Sequence, residues 1–290
     1  MKQHLTPKQV ARAIGVSESS LKRWCDRGLI PVEKTAGGHR RLPIGGVLGF
    51  LRQQGHSIVE PDVLGLPTSL GKTEWTTDRA RARFVEGLID GDEEICRQIL
   101  IDLYLGQHDL PTICDKVIAA AFHQIGDLWE CGDVAIYKER RACGMALRLM
   151  IEMRTLIQPP VANAPRAIGF SLSGDEYLLA LTMSELILRD GGWDAASIGH
   201  SLPVGTVLRA IDEIKPALIW VSASYIVNEE TFVESMKQVY RRADEHEAVF
   251  AVGGRALTED IRKQFNYSVH CDDMQSFVNF TKTMLRSLKK

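Results

Sequence analysis

Two groups of residues have types and spacings that could do chemistry. The first lies near the start: Ser19, Ser20, Lys22 and Arg23 in one short helical pattern, then His39, Arg40 and Arg41 after Gly37-Gly38. Guanidinium and ammonium groups grip phosphates, and short polar side chains early on a helix reach base edges, so this set points to a nucleic acid. The second lies in the last third: Asp175 within SLSGDEYLLA, then Ser222 and Ser224, then Gly253 and Gly254. Each follows an apolar run of strand character, and small residues at strand ends let a ligand approach the backbone closely.

The elements that must position the first group are legible. Thr6 can cap a helix and Pro7 suits its first position. KQVARAIG ends at Gly15, and Ser17 can cap a second helix, SESSLKRWCDRG. Helix, tight turn and helix make a helix-turn-helix, with Val10, Ile14, Val16, Leu21 and Trp24 spaced to form its small core. Gly37-Gly38 reads as a hairpin turn, which makes a β-wing tipped with two arginines. Pro43 opens a third helix.

The second group needs a parallel sheet. From Arg166 onward, AIGFSLS, AASIG, ALIWVSAS, AVFAVGG and YSVHC are strand candidates. They alternate with EYLLALTMSELILRDGG, VGTVLRAIDEIK, EETFVESMKQVYRRADEH and TEDIRKQF, and DMQSFVNFTKTMLRSLKK closes with a helix. This alternation implies a doubly wound, five-stranded parallel sheet (Rossmann-like) with ligands at the carboxyl ends of its strands. The expected organisation is multidomain α plus α/β: residues 1–55 a winged head, 56–77 a Gly/Pro/Ser-rich linker, 78–160 a helical bundle, and 166–290 the α/β domain.

Bulk properties agree. Apolar residues make up 45% of 290 and charged residues 25%, an ordinary globular balance. The net charge of -2 hides an asymmetry. Residues 1–55 hold 10 Lys+Arg against 3 Asp+Glu, and the rest holds 25 against 34. Only the head is expected to meet a polyanion. The six cysteines form no C-x-x-C pair, which argues against zinc fingers and for a reducing compartment. No apolar run reaches membrane length and the start does not read as a signal peptide, so a cytoplasmic protein without membrane contact is expected.

The run LTPKQVARAIGVSESSLKRWCDRGLIP…TAGGHRRL resembles the MerR-type winged helix-turn-helix. The last third is similar to the cobalamin-binding flavodoxin-like domain, whose D-x-H-x-x-G, S-x-L or S-x-T, and G-G motifs fall on Asp175, Tyr177 and Ala180, on Ser222 and Ser224, and on Gly253 and Gly254. The run IGDLWECGDVAIYKERRACGMA resembles the helical cap of the CarH/LitR class of light-sensing regulators, whose W-x9-E-H motif places Trp129 and Glu139 beside the adenosyl group. That class has the same order of head, cap and cobalamin domain. The resemblance implies a DNA-binding repressor that assembles as a dimer or tetramer on double-stranded operator DNA. A protein antirepressor is a further candidate partner.

Three positions depart from the pattern. Tyr177 stands for the lower axial histidine, Ala180 for the glycine where the displaced cobalamin tail would enter, and Arg140 for the upper histidine. Guanidinium offers no lone pair to cobalt, and a phenol of reference pKa about 10 must ionise to become an anionic ligand. No metal-ligating set is therefore assigned, and light sensing through cobalamin is not expected. Three readings stay open: an oligomerising scaffold without tetrapyrrole; weak cobalamin binding through the tail groove and Trp129; or another tetrapyrrole, haem or bilin, with Tyr177 or His123 as ligand. For Trp129 simple core packing is the plainer alternative. An enzyme is not expected: P-loop, G-x-S-x-G and H-E-x-x-H are missing, and a methyltransferase-type cobalamin carrier would need the lower histidine.

Overall fold

The computed structural model describes residues 4–70 and 73–288. Residues 1–3 and two residues of the expected linker, Gly71 and Lys72, lie outside them. The chain forms two compact units, Met1–Pro159 and Pro160–Lys290.

The first unit begins with β1 (His4–Leu5), α1 (Pro7–Ala13), α2 (Glu18–Asp26), β2 (Glu33–Lys34), β3 (Arg40–Pro43) and α3 (Ile44–Gln54). Thr6 and Gln9 form a reciprocal capping box on α1, and the Ser17 side chain accepts from Ser20 N at 3.2 Å to cap α2. The three strands form an antiparallel sheet in the order β1-β3-β2. Val10, Ile14 and Leu21 are buried as expected. Val16 and Trp24 are only half-buried, because α3 supplies the rest of the core with Val47, Leu48, Phe50 and Leu51. Trp24 rests against Phe50 and His56, with ring centroids 5.0 and 5.2 Å away.

The stretch after α3 is strapped to the head. Val59 N and Glu60 N both donate to Ala13 O, at 2.7 and 3.0 Å, and Arg12 Nε donates to Glu60 Oε2 at 2.9 Å. The short α4 (Pro61–Leu64) follows. Then come α5 (Thr77–Asp90), α6 (Glu93–Leu105), α7 (Leu110–Thr112), α8 (Ala120–Glu130) and α9 (Ile136–Leu156). A π-helical stretch, Ile113–Ala119, joins α7 to α8, so the bundle has four long rods. Their seam buries Phe84, Leu88, Ile99, Val117, Ile125, Met145 and Leu149. At the end of α9, a Cβ on Gly45 of α3 would stand 2.3 Å from the Ile157 carbonyl oxygen. Only glycine permits that approach. No helix among the described residues is long and apolar enough to cross a membrane.

The second unit runs β4 (Arg166–Leu172), α10 (Leu179–Asp190), β5 (Asp194–Leu202), α11 (Val204–Ile214), β6 (Leu218–Ser222), α12 (Glu229–Glu245), β7 (Val249–Gly253), α13 (Glu259–Arg262), β8 (Val269–His270) and α14 (Met274–Leu288). All strands are parallel, in the order β5-β4-β6-β7-β8, which is the flavodoxin-like order. Ile168, Phe170, Ile219, Val221, Phe250 and Val252 face α11 and α12 in one apolar core. Strand alternation turns Gly169, Ser171, Trp220 and Ser222 to the other face, which α10 and α14 cover. Two expected elements are shorter than their patterns. α10 starts at Leu179 rather than Glu176, because Asp175 ties the preceding loop, and TEDIRKQF yields a single turn.

Candidate functional site

In the head, Ser19, Lys22 and Arg23 are exposed on α2, with Ser20 half-buried beside the cap. The wing differs from the expectation in one respect. Its tip is Ala36-Gly37-Gly38-His39, with Gly38 at φ 77°, while Arg40 and Arg41 lie back on β3 opposite Lys34 and Glu33. Hairpin register puts the arginines inside the strand, so only His39 sits near the turn. Arg40 also folds back: its Nη2 pairs with Asp26 Oδ1 of α2 at 2.8 Å, and its Nη1 is buried without a partner. Asp26 was not singled out from sequence, since an acidic residue on an exposed helix face reads as solvated surface.

In the bundle, Trp129 ends α8 and is 47% exposed, so core packing does not account for it. Exposed Ile136 and Tyr137 start α9. Glu139 accepts from Cys143 Sγ at 3.3 Å and lies 3.4 Å from Arg140 Nε. Burial, then the Glu139 charge, pushes the Cys143 thiol up to about 12. His123 is exposed on α8.

In the α/β unit, the loops at the strand ends are drawn together by Asp175, which is 2% exposed. Its Oδ1 accepts from Tyr177 N at 3.1 Å and its Oδ2 from Ser224 N at 2.7 Å. Burial raises its carboxyl above the usual range, against the opposing pull of backbone donors from Ser224, Tyr177 and Tyr225 and the charge of Arg255. Ser171 Oγ donates to Asp175 O at 2.9 Å and accepts from Ser201 N at 3.1 Å. Gly254, at φ 115°, lies so close to the next loop that a Cβ would be 2.3 Å from Ala223 O. Gly253 is less crowded, its Cβ position being 3.0 Å from Cys271 O. The Tyr177 ring is exposed, with the Arg255 guanidinium 5.3 Å from its centroid. His200 Nδ1 is 3.1 Å from Glu176 Oε2.

The site brings together Asp175, Tyr177, Ser222, Ser224, Gly253 and Gly254 at adjacent strand ends. Trp129, Glu139 and Arg140 belong to the other unit. Sequence reasoning missed Trp220. Its indole occupies the space that a side chain on Gly169 would need: a Cβ there would be 1.8 Å from Trp220 Cε2. It is 2% exposed, and both its Nε1 and the neighbouring Ser222 Oγ are buried without partners. A large aromatic two residues before a small strand end was the available signal. A histidine-ligated corrinoid with its nucleotide tail inserted does not fit this arrangement. Position 177 offers a phenol, and the face behind Ser222 is filled.

Residues 6–41 match the model of the MerR family regulatory protein, and residues 80–150 match that of the B12 binding domain. The chain is thus a DNA-binding regulator with a cobalamin-related domain, in the domain order expected of a MerR-type, CarH/LitR-like regulator. It is 22% identical over 269 residues, 89% of each chain, to the HTH-type transcriptional repressor CarA of Myxococcus xanthus. It is also 20% identical over 211 residues to trimethylamine corrinoid protein 1 of Methanosarcina mazei, covering 70% of this chain and 96% of that one. The solved monomethylamine corrinoid protein of Methanosarcina barkeri superposes with a TM-score of 0.59 at 12% identity, over 72% of this chain and all of the other, and so shares the fold. These matches point to cobalamin as the ligand class of the fold.

Proposed function

We propose that the protein is a cytoplasmic transcriptional repressor that binds double-stranded operator DNA as a dimer or tetramer, and that it is not an enzyme. Ser19, Ser20, Lys22 and Arg23 on α2 read the operator, and His39, Arg40 and Arg41 hold its backbone. The observation that carries this reading is the exposed, Ser17-capped face of α2 beside a wing, within a stretch that matches the MerR family. The domains divide as head 1–55, linker 56–77, bundle 78–160 and α/β domain 166–290. Single heads of this size bind weakly, so the body raises affinity by linking copies. A protein antirepressor acting on the body would reverse this. Selection of binding sites from a random duplex library with the full chain tests the reading. Repeated half-sites, each bound through the head, are expected. Failure to enrich any duplex above a random one at moderate salt would sink it.

A second reading is that the part of the chain after the head holds a flat tetrapyrrole, whether cobalamin, haem or bilin, as a photo- or redox sensor. The exposure of Trp129 favours it, because a large apolar surface left in water marks a contact site. Incubation in the dark with adenosylcobalamin, hemin or biliverdin, then desalting and absorption spectra, decides between the two. A cobalamin carrier for a methyltransferase is disfavoured by Tyr177, which supplies no imidazole to a reacting cobalt.

A further inference from the structure

We propose that Trp220 is a plug: it fills the part of the α/β unit into which the nucleotide tail of cobalamin would pass, so the body excludes that tail whatever it does with the macrocycle. This inference rests on the cobalamin-related reading of the domain.

The argument runs along one face of one strand. Ser222 ends β6 and is a position of the motif that carries the cobalamin-domain resemblance. Ala180, on the first turn of α10, stands at the entrance. Period-two alternation puts Trp220 on the same face as Ser222, one step deeper beneath α10. The neighbouring strand opposes it with Gly169, in direct register. The indole takes the volume a side chain at 169 would need, overlapping a Cβ position to within 1.8 Å. α10 and α14 close over it with buried Leu181, Leu186, Phe277 and Val278, and Ser184 Oγ reaches Met274 Sδ at 3.7 Å across the two helices. A nucleotide is larger than an indole and polar, so it cannot share that space. The orphaned Ser222 Oγ and Trp220 Nε1 mark the same boundary: both polar atoms are buried there without a hydrogen-bond partner. The face is thus filled by an aromatic that meets none of its hydrogen-bonding needs there.

The test compares cobalamin with cobinamide, which carries the corrin ring without the nucleotide. Both are titrated into the full-length wild-type chain and into Trp220→Gly by equilibrium dialysis, with absorption spectra of the bound corrinoid. In the wild type the tail should add nothing, so cobalamin binds no better than cobinamide. Trp220→Gly should raise cobalamin affinity about tenfold or more and leave cobinamide unchanged, with a spectrum showing the benzimidazole displaced from cobalt. Wild type binding cobalamin tenfold tighter than cobinamide would overturn the proposal. So would a folded Trp220→Gly whose cobalamin binding equals that of wild type. Folding is checked by thermal melting, and Trp220→Ala serves the same comparison if the glycine variant does not fold. Duplex DNA binding is measured on the same samples. Its loss in the wild type would sink the regulator reading and leave the corrinoid comparison standing.

Discussion

Asp175 Oδ2 accepts the backbone N–H of Ser224 at 2.7 Å, joining the loop after the first strand of the parallel sheet to the loop after the third. A second donor, Tyr177 N, is held by Oδ1 of the same carboxylate. One buried side chain therefore fixes the two loops that a ligand at the switch point would meet. Asp175→Ala should destabilise the α/β unit by about 1–3 kcal/mol, since it strips partners from backbone N–H groups. Urea unfolding followed by circular dichroism checks this, and a change under 0.5 kcal/mol (roughly the scatter of surface substitutions) would mean the tie is idle.

The same carboxyl gives a pH signature. Burial raises its folded-state value above the ordinary one, so the native protein binds this proton more readily than the unfolded chain. Stability should fall as pH rises from the ordinary carboxylate value through the raised one, and this part of the cost is complete above it. Asp175→Asn cannot titrate and should flatten that slope. An unchanged slope in the variant would assign it to other carboxylates.

Arg40 is held by Asp26 across the head. Removing Asp26 frees the guanidinium and deletes a negative charge near phosphate. Asp26→Ala should tighten binding to duplex DNA, whereas Arg23→Ala should weaken it and lower the salt slope by about one. Titrations at several salt concentrations read both. Weaker binding by Asp26→Ala would show that the Arg40–Asp26 pair shapes the DNA-facing surface.

The thiols should separate in reactivity. Cys131 is exposed, whereas Cys25, Cys96, Cys114 and Cys271 are buried and Cys143 is half-buried with its thiol pushed up to about 12. Labelling of the native protein at pH 8 should show one fast thiol, lost in Cys131→Ser. A fast phase surviving that change would place a second reactive cysteine on the surface.

The helix-turn-helix and the alternation of the last third were legible because caps and periodicity are local: Thr6, Ser17 and Gly15 act within a few residues of themselves. The strand-end residues could be gathered from their positions after apolar runs. What the residues alone could not reveal depends on register and close approach. Nothing near Arg40 indicates that it turns inward to Asp26. Trp220 and Gly169 are more than fifty residues apart and meet only because β6 lies beside β4. The strap after α3 escaped notice because its Gly and Pro content masks hydrogen bonds to Ala13.

Gly45 lets α3 press against the Ile157 carbonyl at the end of α9, so the last helix of the head is seated on the bundle through backbone rather than through swinging side chains. For copies joined through their bundles, such seating would make each head a stiff arm, and a stiff arm cares about rotational phase. Inserting about five base pairs between half-sites turns the second one by half a helical turn. A flexibly tethered head would reach round to it for little loss, but a seated one must twist the DNA or let go.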